Sequence, residues 1–421
     1  MSRSIVIAIL TIFVVSCGED RTYQYEQKTA RDHWMMEVMQ THYLWGDSIK
    51  EEKIAWKDYF AAPATFFAKL TAFAPITDSF SWCEIDTIEE DHHQRGHFNH
   101  IDSYGLDFAL MTDPTGATSR QYARVITVMP NSPASRAGLH RGDFIGVVDG
   151  NRISSSNVSY LENGKARTIV RSVLGVDAAK EELIWESNDT IQLERSERIA
   201  DASIANLAFH TTIDGDPLVY LQCNKLDFTS SELDNLISSV RDMYPDILVL
   251  DLRLCNDGTL ESAVNLGSYL LNSSNPELVF ANTIYRDSRS EENSLLNFNS
   301  QLLSDRLHLG NIYIVTSNYT CGPAEWLIRA LKAADNNNGY ITTVGTSTAG
   351  QIVMTEAINA PDYYTTINPA VCYVADANLD YDYASGITPD IDLDEFEYVH
   401  LYPYGDVREV ILRYILMNGE E

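Results

Sequence analysis

The sequence is short of positive charge. Its 421 residues include 30 lysines and arginines against 60 aspartates and glutamates, which gives a formal net charge of −30. The acidic excess is spread along the chain, and a surface of this sign repels phosphate backbones. We therefore expect no nucleic acid partner, and the acidity indicates a globular protein that is soluble in an extracytoplasmic space.

Long apolar runs are missing after the N-terminus, so no later segment has the roughly 18 apolar residues that span a bilayer. The N-terminus has a positive charge at Arg3, an apolar run from Ile5 to Val15, and then Ser16-Cys17. This pattern predicts a signal peptide over residues 1–16. It resembles a bacterial lipobox, which implies a lipid on Cys17 and a membrane anchor made of acyl chains. The alternative is an ordinary secretory signal with an incidental cysteine.

The resemblance to a lipobox implies a location. We expect an exported lipoprotein of the outer membrane, on its periplasmic face or at the cell surface. The acidic residues Glu19 and Asp20 resemble the export tag of some surface lipoproteins. A short charged linker is the alternative for these two residues.

Cysteine pairs with the CxxC spacing of zinc sites are also missing. Five cysteines remain besides Cys17, namely Cys83, Cys223, Cys255, Cys321 and Cys372, and the sequence does not pair them. Four histidines cluster before residue 101, at His92, His93, His97 and His100, but no patterned cysteines or acidic residues complete a ligand set. We expect no metal and no cofactor.

Three regions follow the predicted signal peptide. Residues 17–30 are polar and predict a tether, and periodic apolar residues over 31–75 predict helices in an N-terminal region of residues 31–101. Residues 102–197 contain short strands separated by turns. Residues 198–421 alternate strands with helices, and 247–253 is a nearly continuous apolar run typical of a buried parallel strand. The fold class is therefore α+β and multidomain.

The order of strands, turn and short helix in residues 102–197, with "SPASRAGLHRGDFI" at its centre, resembles a PDZ domain. PDZ domains add an extended peptide to a sheet edge and hold its terminal carboxylate on backbone N–H groups. The peptide-binding loop implied by this resemblance consists of Tyr104, Gly105, Leu106, Asp107 and Phe108. The resemblance therefore implies that the chain binds peptide or protein C-termini.

Motifs along most of the chain resemble the C-terminal processing, or tail-specific, serine peptidases. They are "WMMEVMQTHYLWGDSI", "ILVLDLR", "IYIVTSNYTCGPAEWLIRAL", "VGTSTAG" and "SGITPDIDL". The resemblance implies a helical N-terminal region, a PDZ domain and a crotonase-like α/β peptidase-type domain. It also implies a serine nucleophile activated by a lysine, with backbone N–H groups that stabilise the oxyanion.

The chain departs from this family at the catalytic positions. Aligned on Thr320 and Glu325, the position of the nucleophilic serine holds Gly322. The lysine position, after Thr-x-Gly, holds Gln351, and the polar residue four positions later is Thr355. Glycine has no side chain that can attack, and an amide is not a base near neutral pH.

The predicted oxyanion turn departs as well. Its positions are Asp257 and Gly258 in one segment and Pro323 in the other, and a carboxylate at 257 opposes negative charge nearby. The sequence therefore predicts a catalytically inactive homologue that binds peptide or protein termini. Its membrane contact is expected through the lipid anchor.

Other readings stay open. Cys321 is next to the nucleophile position, so a cysteine peptidase is the main alternative, although no base is evident beside it. An active peptidase could also use displaced groups such as Ser317, Ser347 or Lys332. A subunit of a larger envelope complex is the third reading.

Overall fold

The computed structural model describes residues 22–85, 102–199, 202–336 and 338–419. It has a mixed α+β fold that divides into two compact units. One unit combines residues 1–85 with 357–369, and the other combines residues 86–356 with 370–421. The predicted signal peptide, Cys17 and the four clustered histidines lie outside the described residues.

Strands outnumber α-helices in the described residues. The α-helices are α1 Thr22–His42, α2 Pro63–Thr71, α3 Pro133–Arg136, α4 Ser230–Asp242, α5 Leu260–Leu270, α6 Pro323–Asp335 and α7 Val410–Leu416. The first eleven strands are β1 Trp82–Ile85, β2 Asp102–Ser103, β3 Leu106–Thr112, β4 Gln121–Val128, β5 Phe144–Val148, β6 Asn151–Arg152, β7 Arg167–Asp177, β8 Glu182–Leu193, β9 Glu197–Arg198, β10 Ile204–Thr211 and β11 Pro217–Cys223. The others are β12 Ile247–Asp251, β13 Val279–Tyr285, β14 Ser294–Asn297, β15 Asn311–Thr316, β16 Ile341–Gly345, β17 Val353–Thr355, β18 Ile358–Ala360, β19 Thr365–Asn368, β20 Ala370–Ala375 and β21 Ile391–Asp392.

The N-terminal unit packs α1 and α2 beside a three-stranded sheet in the order β1-β19-β18. Strand β1 pairs antiparallel with β19, although the two are far apart in the sequence. Met35, Met39, Phe66 and Leu70 are fully buried in this unit. The hairpin of β18 and β19 therefore completes the N-terminal unit. The sequence prediction had assigned these strands to the domain of residues 198–421.

One detail of the N-terminal prediction is wrong. Helix α1 begins at Thr22, so the tether predicted for 17–30 does not extend past residue 21. Glutamine, glutamate, lysine and alanine in this stretch are good helix formers, which a reading based on polarity overlooks. The later part of the range 31–75 is helical as predicted, with a 3₁₀ helix at Trp56–Phe60 followed by α2, because Pro63 favours the first position of a new helix.

Residues 102–198 form a sheet in the order β3-β4-β5-β7-β8, with β3 at one edge. The predicted strands and the short helix α3 are all present, and Ser132 caps α3 by accepting a hydrogen bond from the Ser135 N–H at 3.1 Å. Tyr104, Val125 and Ile145 are among the fully buried residues of its core. The PDZ assignment of this domain stays a prediction.

The remaining large sheet has the order β10-β11-β12-β15-β16-β21, and its strands from β11 to β21 run parallel. The apolar run 247–253 contains β12, every residue of which is buried, and the strands expected in the alternation over 198–421 include β11, β15 and β16. Because parallel strands end at the same sheet edge, the turns after β12 and β15 lie together. The crotonase-like assignment stays a prediction.

Candidate functional site

The turn that follows β15 lies directly on the turn that follows β12. The Cys321 N–H donates to the carbonyl of Cys255 at 2.9 Å. The buried Thr320 hydroxyl donates to the carbonyl of Leu252 at 2.8 Å. These bonds fix the register of the two turns, so the segments predicted to hold the nucleophile and the oxyanion donors are adjacent.

Gly322 stands between β15 and α6 with φ +55° and ψ −116°. A strained turn from strand to helix is the geometry that presents a nucleophile in many hydrolases. A Cβ placed at Gly322 would lie 3.0 Å from Oε1 of Gln351. Positions 322 and 351 therefore face each other as a nucleophile and its base would, but they hold a glycine and an amide. Their identity with the family's serine and lysine stays a prediction from the motifs.

The Gln351 side chain is held by hydrogen bonds at both ends. Its Oε1 accepts from the Cys321 thiol at 2.9 Å, and its Nε2 donates to the Val353 carbonyl at 3.0 Å. Its backbone carbonyl accepts from Trp326 Nε1 at 3.3 Å and from the Tyr383 hydroxyl at 2.9 Å. The amide therefore connects the two segments of the site as a structural bridge.

Glu325 also connects the turn at Gly322 with the segment of residues 348–351. Its carboxylate accepts hydrogen bonds from the Thr348 hydroxyl at 2.5 Å, and from the backbone N–H groups of Gly350, Gln351 and Gly322 at 2.6, 2.8 and 3.0 Å. Burial raises the pKa of Glu325, while these four bonds act to lower it. Sequence reasoning used Glu325 only to align the motif, and it did not predict that this side chain is buried.

The predicted oxyanion positions offer little to a developing negative charge. The Gly258 N–H donates to the carboxylate of the preceding residue, Asp257, at 2.7 Å, so this donor already has a negatively charged acceptor. Pro323 has no N–H at all. The N–H of Gly322, next to it, donates to Glu325. Gly258 itself is required, because a Cβ there would lie 2.2 Å from the Leu226 carbonyl oxygen.

None of the hydrogen bonds described for the other candidate nucleophiles is made to a base. The half-buried Cys321 thiol donates to an amide oxygen, which cannot take its proton. Lys332 forms an ion pair with Asp390 at 2.7 Å, and the Ser317 hydroxyl donates to the Arg253 carbonyl at 2.6 Å. Ser347 is partly exposed in the loop after β16. Thr355 is the last residue of β17, where it pairs with Ala370.

The predicted peptide-binding loop, Tyr104–Phe108, leads into the edge strand β3. Tyr104 is buried and its hydroxyl donates to the Lys165 carbonyl. Gly105 has φ +73°, and a Cβ there would lie 2.2 Å from Cβ of Ser132, so only glycine fits. Burial, and to a smaller extent the Asp107 carboxylate of this loop, raise the pKa of Tyr319. Leu106 is buried, while Asp107 and Phe108 are half-buried.

A buried charge network lies behind the site, and sequence reasoning missed it. Arg253 pairs with Asp251 at 2.6 Å, with Glu409 at 2.8 Å and with Glu395. Arg141, from the domain of residues 102–198, pairs with the same Glu395 at 2.6 Å. The sequence did contain a signal for it, because Asp251 and Arg253 lie at the end of the apolar run 247–253. Charged residues buried there need partners.

Among the described residues, no group of three or more histidine, cysteine, aspartate or glutamate side chains is placed to hold a metal ion. Within the same ranges, no helix combines the length and apolar character needed to cross a bilayer.

Two family models match the sequence. Peptidase family S41 matches residues 218–393, and the peptidase S41 N-terminal domain matches residues 30–82. The chloroplastic C-terminal processing peptidase of Tetradesmus obliquus is 24% identical over 284 residues, which cover 64% of this chain and 56% of that protein. The chain thus spans just over half the length of this curated relative.

Solved structures agree with these matches. A structure from Bacteroides fragilis assigned to the S41 proteases has 27% identity and a TM-score of 0.75, and the match covers 91% of this chain and 96% of that one. The photosystem II D1 C-terminal processing protease has a TM-score of 0.55 over 93% of this chain and 98% of that one. At 17% identity, this second likeness concerns the fold alone.

Proposed function

The chain belongs to peptidase family S41, and from that premise we propose that it is a lipid-anchored envelope protein that binds peptide or protein termini without cutting them. The observation that carries this proposal is the pair of facing positions 322 and 351. A nucleophile and a base are needed there, and a glycine and a hydrogen-bonded amide occupy them. The scaffold around the pair remains intact, which favours a retained binding role.

The absence of hydrolysis follows from three separate deficits. No side chain at 322 can attack a carbonyl, and the Gln351 amide cannot take a proton. The third deficit is electrostatic, because Asp257 supplies a carboxylate where the reaction would develop negative charge. Repair of any one deficit leaves the other two.

Peptide binding is supported by the edge strand β3 and the loop before it. We infer that residues 102–198 are a PDZ domain in which a C-terminal peptide adds to β3 as a further strand. The apolar side chains of Phe108 and Leu110, both on β3, pack against the core of this domain. Its ligand would be an extended peptide with a free C-terminal carboxylate.

The crotonase-like assignment of the parallel sheet and the location of the protein belong to the same proposal. Cys17 would carry the lipid, and the protein would reside at the outer membrane, on the periplasmic face or on the cell surface. The N-terminal motif supports this anchor. Metabolic labelling with a fatty acid tests it, and Cys17→Ser is expected to abolish the label.

The first test measures hydrolysis of unstructured tail peptides. We expect no turnover by the wild-type chain. Gly322→Ser with Gln351→Lys restores the nucleophile and base alone, so we expect little turnover until Asp257→Gly and Pro323→Ala are added. Removal of one oxyanion donor alone costs about 10²–10³ in kcat. Wild-type turnover that Cys321→Ala abolishes would contradict the proposal and identify a cysteine peptidase.

The second test measures peptide binding by fluorescence polarisation. We expect tail peptides with a free C-terminus to bind, and the same peptides with an amidated C-terminus to bind at least about tenfold more weakly, because a charge-assisted contact is lost. Gly105→Ala is expected to weaken binding by distorting the loop, while Gly116→Ala, in open space, serves as the control. Equal binding of free and amidated peptides would exclude recognition of C-termini.

A further inference from the structure

The loop that is expected to hold a peptide carboxylate is closed in this structure. Tyr104, Gly105 and Leu106 are all buried. The N–H of Tyr104 donates to the carbonyl of Glu162 at 3.3 Å. The N–H of Gly105 donates to the hydroxyl of Ser103 at 3.0 Å. PDZ domains hold a terminal carboxylate on the N–H groups of such a loop, so two donors that a ligand would use already have acceptors within the chain.

The side chain of Ile199 lies against the same loop. A Cβ placed at Gly105 would lie 2.7 Å from Cδ1 of Ile199, so the two residues are in contact. Ile199 follows β9, and β9 pairs antiparallel with β2, where Ser103 lies opposite Glu197. We name residues 197–199 the strap. The strap therefore acts on the loop twice, directly through Ile199 and indirectly through the strand pair that positions Ser103.

The strap is held firmly at Ser196 and weakly beyond it. The Ser196 N–H donates to the Gly164 carbonyl at 3.0 Å, and the Ser196 hydroxyl accepts from the Gly164 N–H at 2.9 Å. Beyond Ser196, β9 consists of two paired residues, and Glu197 forms an ion pair with Arg136 at 2.9 Å. Both partners of that ion pair are exposed, and exposed ion pairs contribute little to stability. The strap can therefore separate from the loop while Ser196 stays in place.

We propose that the strap and the Ser103 hydroxyl form an autoinhibitory contact, which closes the carboxylate site until a peptide or protein C-terminus displaces it. The inference rests on the proposed binding function, because it concerns the regulation of the same site. A carboxylate is a stronger acceptor than a neutral hydroxyl, so a peptide C-terminus competes for the Gly105 N–H when the strap opens. Only chains with an open loop bind, so closure lowers the apparent affinity by the fraction of open loops.

The first measurement is binding of tail peptides to the full chain by fluorescence polarisation. Ser103→Ala removes the competing acceptor, so we expect peptides with a free C-terminus to bind at least about fivefold more tightly. The gain should be smaller for amidated peptides, because an amide is the weaker acceptor. Ser103→Thr keeps the hydroxyl and should bind as the wild type does. Ser273→Ala is the matched control, because Ser273 lies outside residues 102–198 and its hydroxyl also accepts from the N–H two residues later, that of Asn275, at 3.1 Å.

A second variant acts on the strap itself. Ile199→Ala shortens the side chain that lies against Gly105 and should tighten binding of free C-termini at least about threefold, because less apolar contact is lost when the loop opens. Ile184→Ala is its control, since Ile184 is 39% exposed on β8, and it should leave the affinity unchanged. This variant keeps the proposal testable if Ser103→Ala fails to fold.

Hydrogen exchange of the Gly105 amide tests the closed loop without a ligand, by NMR on a chain with isotope-labelled glycine. Ser103→Ala should accelerate this exchange at least about fivefold, and Ser273→Ala should not change it. Unchanged exchange in the Ser103→Ala chain would overturn the proposal, as would equal or weaker peptide binding by both the Ser103 and the Ile199 variants. If the exchange accelerates but no variant binds any peptide, the loop is closed as described and the proposed binding function is what fails.

Discussion

Gly322 combines an unusual backbone with a crowded neighbour. Its φ of +55° and ψ of −116° are costly for a residue that has a Cβ, and the space where that Cβ would point is next to Gln351. A serine at this position stores strain in order to present its hydroxyl. A glycine adopts the same backbone without that strain, so the turn is more stable with Gly322 than with a residue that has a Cβ.

Gly322→Ala is therefore expected to lower the free energy of unfolding by about 1–3 kcal/mol, as measured by urea denaturation. Gly116→Ala is the matched control, because Gly116 has φ +70° and no atom within 4 Å of the added Cβ. It should cost about 1 kcal/mol, from conformation alone. If both variants lose the same stability, contact with Gln351 does not contribute.

The motifs alone predicted that positions 322 and 351 lie in one site. The structure brings the two positions together. The roles of Asp257 and Glu325 were only partly predictable. The sequence placed an acid near the oxyanion turn, but it could not show that the Asp257 carboxylate accepts from the next N–H. Nor could it show that Glu325 is buried under four donors, because side-chain direction depends on contacts that are distant in the sequence.

Two buried arginines connect residues 102–198 with the C-terminal segment. Arg141 follows α3, and it reaches Glu395 and the carbonyl of Tyr402 in the C-terminal segment. Arg124 on β4 donates to the carbonyls of Phe396 and Tyr398. Residues 102–198 thus pack against the C-terminal segment within one compact unit, and the domain boundary at 197/198 stays a prediction.

Arg141→Met is expected to lower the free energy of unfolding by roughly 3–5 kcal/mol, because it removes one partner of a buried ion pair. It should also expose the loop between α3 and β5 to limited proteolysis. Arg136→Ala is the control, since Arg136 pairs with Glu194 and Glu197 on the surface, and little change is expected. Unchanged stability of the Arg141 variant would show that the network does not hold the domain in place.

Elements were predicted well where the pattern is local. The buried strands β12 and β15 were clear because their apolar residues are continuous. The hairpin of β18 and β19 was not predicted as part of the N-terminal unit, because its pairing with β1 is a long-range contact. The sequence contains no local sign of such a partner.

The molecule as a whole carries 30 excess negative charges. Mutual repulsion of these charges destabilises the compact state, and salt screens it over a Debye length of about 10 Å at 0.1 M. We expect the Tm to rise by a few degrees between low salt and moderate sodium chloride. Differential scanning calorimetry measures this, with an uncharged osmolyte at matched osmolality as the control. A fall in Tm would mean that the ion pairs outweigh the repulsion.

The pairing of β1 with β19 has a consequence for biosynthesis. Residue 85 leaves the ribosome long before residue 365, and at 5–20 residues per second the delay is on the order of tens of seconds. During this interval the edge of β1 lacks the strand that pairs with it in the finished protein. The edge of β1 therefore stays open to association with other chains until its last strand arrives.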